Sequence, residues 1–150
     1  MSFDEKVAWV GGFVAVIVGA VYASVVLPQV GSAPASAIAY QTPMLIAIGA
    51  MIVMTIVGTI LMSIGTAISA EITGNGSVDD IDRKDERDVD INRRGELMGY
   101  YVSSVGLVGA LALAMMRYDH FWIANAIFAS FMVASVVSAA VKVLIYRRGF

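Results

Sequence analysis

Cysteine is absent from this sequence, which excludes a disulfide framework, thiolate catalysis and sulfur-ligated metal centres built from this chain. Histidine occurs once, at His120, so the several imidazole ligands of a typical zinc site are also missing. A Ser–His pair has poor prospects, because Ser103 and Ser104 fall toward the opposite end of their hydrophobic segment from His120. No Gly-rich phosphate loop follows a strand pattern. The largest absence is charge: residues 7–70, a run of 64, contain no Asp, Glu, Lys or Arg. Charged residues make up 15% of the chain, against roughly 25% in soluble domains. Nor is there a basic excess, since 10 Lys and Arg face 12 Asp and Glu, for a net charge of −2. That balance excludes a nucleic-acid binder reading phosphates through a cationic face. No catalytic residue, metal or cofactor is expected.

What is present is apolar: 59% of residues are hydrophobic, and mean hydropathy is +0.79. A helix crosses a hydrocarbon core of roughly 30 Å with about 20 apolar residues, its backbone polar groups all paired internally. Four segments qualify, approximately 6–27, 43–70, 97–116 and 121–141. The first follows a capping-box pattern, Ser2 with Glu5, and stops at Pro28. The second opens with Thr42 and Pro43 and ends before Gly74 and Gly76. From Pro43 to Thr73 the chain would measure about 46 Å at ~1.5 Å per residue, so this helix must tilt or project from the core. Reading the first segment as a cleaved signal, with Ala33-Pro34-Ala35 as the cleavage site, conflicts with Asp4 and Glu5 in its leading region and with its length. The expectation is an all-α integral membrane four-helix bundle, one membrane domain over 1–150 surrounded by lipid bilayer.

Orientation follows from the placement of Lys and Arg, which collect on the cytoplasmic side of short loops. With both termini inside, the inner face carries Lys6, Lys142, Arg147 and Arg148 together with all five bases of the 71–96 linker, and the outer face carries Arg117 alone. Tyr40, Tyr118 and Trp122 then lie at the outer boundary, and Trp9, Tyr100, Tyr101 and Tyr146 near the inner one. A multi-pass protein of the cell membrane with both termini cytoplasmic is the expected arrangement.

Helices associate in lipid through close approach at small residues. The first span has Gly11, Ala15, Gly19 and Ala23 at four-residue steps; the fourth has Ala126, Ser130, Ala134 and Ser138. Thr55, Thr59, Ser63 and Ala67 form such a row in the second span, and Gly106, Ala110 and Ala114 in the third. Packing within one bundle is the plainer expectation. Mating of Gly11, Ala15, Gly19 and Ala23 with a second copy, giving a homo-oligomer, or with a partner helix is the sharper one. Met51, Met54 and Met62 are adaptable filler in such surfaces.

No acidic or basic side chain lies inside a span, so the usual marks of a proton relay or ion site are missing. Four-span drug exporters depend on an acid in the first span, and this first span has none. The spans' polar groups are chiefly hydroxyls, which in lipid bond mostly to their own backbone or a neighbouring helix. If solute does cross, Thr55, Thr59 and Ser63 are the expected lining.

The charged linker, residues 71–96, holds nine of the twelve acids. It reads as a helix, with Ser77 and Asp80 as a capping box and with Asp79–Arg83, Asp80–Lys84 and Asp90–Arg94 in favourable i, i+4 order. Gly95 marks a candidate hinge. Val78, Ile81, Asp85, Val89, Asn92 and Glu96 share one face at 100° per residue, mixing aliphatics with acid. It is either a solvated connector or a surface that latches onto the bases at the inner span ends or onto a cytoplasmic protein partner. A calcium loop at Asp88-Val89-Asp90-Ile91-Asn92 fails, because Arg93 stands where Gly is needed and Gly99 where Glu is needed.

The run Lys84-Asp85-Glu86-Arg87-Asp88, followed by Ile91 and by a span rich in Tyr and small residues, resembles a group of small uncharacterised prokaryotic multi-span membrane proteins with an Asp-Glu-Arg motif before a hydrophobic helix pair. The resemblance covers Arg83 to about Leu113. It implies a membrane location and a prokaryotic source, and it carries over no catalytic residue. The expected function is non-enzymatic, an interaction or regulatory role in which Asp85, Glu86, Arg87 and Asp88 contact a partner or latch the bundle. The alternative is a subunit of a small-solute transporter or channel. Because the chain has no cysteine, a Ser77→Cys variant should resist a membrane-impermeant maleimide added to intact cells while Ser32→Cys reacts. The opposite labelling would reverse the orientation.

Overall fold

The computed structural model describes residues 3–73 and 86–148, with side chains of 69–73 excepted. The Ser77–Asp80 cap, the Asp79–Arg83 and Asp80–Lys84 pairs, the Gly74–Gly76 turn, Val78, Ile81 and Asp85 lie outside the described residues. Four helices make up the all-α bundle: α1 (Phe3–Val26), α2 (Gln41–Thr73), α3 (Glu86–Met115) and α4 (His120–Arg148). All four are long and apolar enough to cross a membrane, and the chain is a multi-pass membrane protein. Its seams run in the order α2–α1–α4–α3. The two outer helices, α2 and α3, share no packed seam with each other.

Helix α1 buries Glu5, Ala8, Ala15, Tyr22 and Val26, with half-buried Gly12 and Gly19 between them. These residues alternate steps of three and four, the spacing of a left-handed helix crossing. A methyl on Gly12 would stand 3.0 Å from Ala139 Cβ, and one on Gly19 4.0 Å from Met132. The row Gly11–Ala15–Gly19–Ala23 is therefore split: Ala15, 1% exposed, and Gly19 belong to the α1–α4 seam of the same chain, while Gly11 has nothing within 4 Å. The strict four-residue step drifts off a straight seam because it accumulates more rotation than two turns supply. On the other flank of α1, Val10 lies against Gly58 of α2, 2.6 Å from where a methyl would stand.

The α3–α4 seam is the closest in the molecule. Methyls on Gly95 and Gly106 would overlap the side chains of Lys142 and Ser130, and one on Gly99 would stand 3.2 Å from both Ala134 O and Ser138 Cβ. The row Ser130–Ala134–Ser138 thus mates with glycines of α3, and Gly95 and Gly99 extend this face toward the charged end. Gly95 is buried within an unbroken helix and is not a hinge. A side chain there is excluded by the Lys142 stem and by Ser138 O, 3.0 Å away. Ala110 is buried, but Ala114 is exposed near the far end of α3.

At the end away from the termini, Tyr22, Phe121 and Phe128 form an aromatic core with Ile38 and Val26. Tyr22 OH donates to Asn125 Oδ1 at 2.6 Å, and Asn125 Nδ2 donates to Phe121 O at 2.8 Å. The α1–α2 connection folds over this core. Gln29 ties its ends, donating to Val25 O and accepting from Ala39 N, and Gly31 supplies a left-handed turn at φ 90. Helix α3 ends on Arg117 at φ 59, with Arg117 N donating to Ala114 O and Tyr118 N to Leu113 O. This is a Schellman stop made without glycine.

Apolar side chains elsewhere face outward. Leu45, Leu61, Val105 and Val108 are each more than 60% exposed, as lipid-facing residues must be. If the glycine seam holds α3 in place, Gly106→Leu should destabilise the bundle by about 1–3 kcal/mol through overpacking. Gly109→Leu, which meets nothing within 4 Å, should change stability by less than about 1 kcal/mol. Reversible unfolding in bicelles followed by circular dichroism measures both.

Candidate functional site

The end of the bundle that holds both termini is the polar one. Helix α3 begins well before its apolar stretch, so Glu86 to Glu96 is a charged extension of a spanning helix. Its buried stripe is Ile91, 0% exposed, with Gly95 and Gly99. The face inferred from Val89, Asn92 and Glu96 is turned from this stripe, since Val89 and Glu96 are exposed and Asn92 is half-buried. The reason is steric: the α4 backbone comes closest where α3 offers glycine, and Ile91 lies one turn before Gly95.

Three side-chain contacts fasten this extension. Asn92 Nδ2 donates to Asp4 Oδ2 of α1 at 3.3 Å, and Tyr146 OH of α4 donates to Asp88 Oδ1 at 2.9 Å. Lys142 lays its stem over Gly95 and brings Nζ to 3.6 Å from Glu96 Oε1, an apolar stem ending in a charged head. The Asp90–Arg94 pair, at 2.9 Å, is largely exposed and worth only about 0.2–0.5 kcal/mol. On the same end, Lys6 Nζ donates to Thr66 Oγ1 of α2 at 3.2 Å, and the Arg147 guanidinium lies 5.4 Å from the Trp9 ring centre. Of the motif residues, Asp88 is engaged within the chain, Glu86 and Arg87 are exposed, and Asp85 is outside the described residues.

Between α2 and α3, floored by α1 and α4, lies a cleft of about 790 Å³. Its polar end is built by Asp4, Asn92, Arg93, Glu96 and Lys142. Its depth is lined by Gly11, Met51, Thr55, Ser103, Phe131 and Ser135. Among the described hydroxyl side chains of α2, only Thr55 lines it. Thr59 Oγ1 donates to Thr55 O at 2.8 Å and Ser63 Oγ to Thr59 O at 3.0 Å, each bonded back to its own helix. A smaller groove of about 330 Å³ between α1 and α2 is lined almost wholly by apolar side chains such as Ile17, Val21 and Met54. Among the described residues, no group of three acids or histidines is placed to hold a metal ion.

Reading the sequence alone offered the face of Asn92 and Glu96 to inner-end bases such as Lys142, and the Lys142–Glu96 contact lies there; it missed Asp4 and Arg93 as members of the same site. Gly95 and Gly99 were the available signal, because a Gly-x-x-x-Gly step at the start of a span marks close helix approach. No protein-family model, curated protein or solved structure matches this chain.

The Asp88–Tyr146 contact is directly testable. Tyr146→Phe removes one partly buried hydrogen bond to a carboxylate, worth about 1 kcal/mol. Amide exchange over residues 88–94 should quicken by about fivefold. Unchanged exchange would show that the glycine seam alone holds the extension.

Proposed function

We propose that this protein is a non-enzymatic membrane interaction or regulatory protein whose cytoplasmic end is assembled around the charged start of α3. The supporting observation is the fastening of that extension to two other helices through Asp88 with Tyr146 and Asn92 with Asp4. Tethering leaves Glu86 and Arg87 exposed in helix beside the Asp88–Tyr146 contact, where they can engage a cytoplasmic protein partner with a smaller ordering penalty than an untethered segment. Nine of the ten Lys and Arg lie toward this end and Arg117 alone at the other, a bias that supports a cytoplasmic location for it at the cell membrane. Asp88 belongs to the latch in this reading, while Glu86 and Arg87 belong to the contact surface.

A second reading, passage of a small solute, is favoured by the cleft that all four helices line. It is the weaker of the two, because Thr59 and Ser63 bond their own backbone and do not line that cleft.

The two readings separate experimentally. With a photocrosslinker at Glu86 in intact membranes, Arg87→Glu should lower recovery of a crosslinked cytoplasmic protein by about fivefold, equivalent to ~1 kcal/mol. Thr59→Leu should leave it unchanged. Solute uptake into liposomes by the purified protein, abolished by blocking the cleft, would instead establish transport.

A further inference from the structure

The cleft between α2 and α3 has the polarity profile of an amphiphile. Two acids, Asp4 and Glu96, and two bases, Arg93 and Lys142, stand at one end. Their formal charges cancel. Lys142 is already beside Glu96 at 3.6 Å, which leaves Arg93, with no ion pair among the described residues, and Asp4, held only by Asn92. A cation and an anion that line one opening at headgroup depth match the phosphate and ammonium of a zwitterionic lipid. A purely anionic headgroup at Arg93 would leave the Asp4 carboxylate without a cationic partner.

Depth and access agree with this assignment. From the charged groups inward, the lining runs on α4 from Lys142 to Phe131 and on α3 from Arg93 to Ser103, with Val89 and Asn92 on the outer side of Arg93. These ends, about 11 and 10 residue steps apart, are separated by about 15–17 Å at ~1.5 Å per residue, or half of a hydrocarbon core of roughly 30 Å. The cleft therefore reaches from the interface to about the bilayer midplane, the length of one leaflet. Its flanking helices are the two that share no seam, so it is approached sideways from the membrane. Its volume, about 790 Å³, lies within the ~300–1,000 Å³ of small-molecule sites. A helix from a second copy would cover the four charges with apolar side chains, an unfavourable desolvation.

We infer that this cleft seats one aminophospholipid of the leaflet on the terminal side, with its phosphate at Arg93, its ammonium at Asp4, and an acyl chain lying past Gly11 toward Phe131 and Met51. Gly11 has open space in the cleft, and a larger side chain there would occupy the acyl path without touching a helix seam.

The test is native mass spectrometry of the delipidated full chain in detergent, offered equal amounts of phosphatidylethanolamine and phosphatidylglycerol. One phosphatidylethanolamine should be retained per chain, in preference to phosphatidylglycerol. Gly11→Leu should reduce retention by about tenfold, Arg93→Gln by about fivefold, and Gly109→Leu not at all. Retention unaffected by Gly11→Leu, or preference for phosphatidylglycerol, would overturn the proposal. Inorganic phosphate serves as competitor: the lipid should stay bound, and its displacement by phosphate alone would mean that the polar end recognises a free anion. Should Gly11→Leu fail to fold, Arg93→Gln and the two competitions on the unaltered chain still decide the matter.

Discussion

Hydrocarbon is as apolar as the helices it surrounds, so this bundle must be held by close backbone approach and a few hydrogen bonds. The α3–α4 seam meets that requirement most fully. Gly95 and Gly106 leave no room for even a methyl beside Lys142 and Ser130 without a shift, and Gly99 leaves little beside Ser138 and Ala134. Helix α4 turns a second face to α1, where Ala139 and Met132 meet Gly12 and Gly19. It is one of the two inner members of the row, and α1, the other, joins it to α2.

A row of helices leaves its outer members apart, and the large cleft follows from that. Had α2 packed on α3, the space above Gly11 would be filled and the polar end closed. Instead Thr55 of α2 and Ser103 of α3 look into the same volume. Hydroxyls on these two helices are satisfied locally, Thr59 by Thr55 O and Ser103 by Tyr100 O. Such back-bonding removes the polar incentive for a further seam.

Charge placement serves both structure and site. Carrying the acids and bases on an extension of α3 beyond the apolar stretch spares the hydrocarbon region any ion. The same extension then supplies Asp88 to Tyr146 and Asn92 to Asp4. Each bond is modest. Their joint effect is to set Arg93, Glu96 and Lys142 around one opening while Glu86 and Arg87 remain exposed.

The all-α class and the four spanning helices are determined by the sequence itself, because 64 consecutive uncharged residues, long enough for two spans, and two further long apolar segments admit no other way to satisfy the backbone in lipid. Which small residues form seams is a tertiary matter. Gly11 and Gly19 lie on one four-residue row, yet one faces a cleft and the other Met132, since a row of periodicity says nothing about which neighbour lies across from it. Asp4, Arg93 and Lys142 are likewise brought together from three helices by antiparallel packing, and only the depth at which each helix is set in its seam decides that they share one opening.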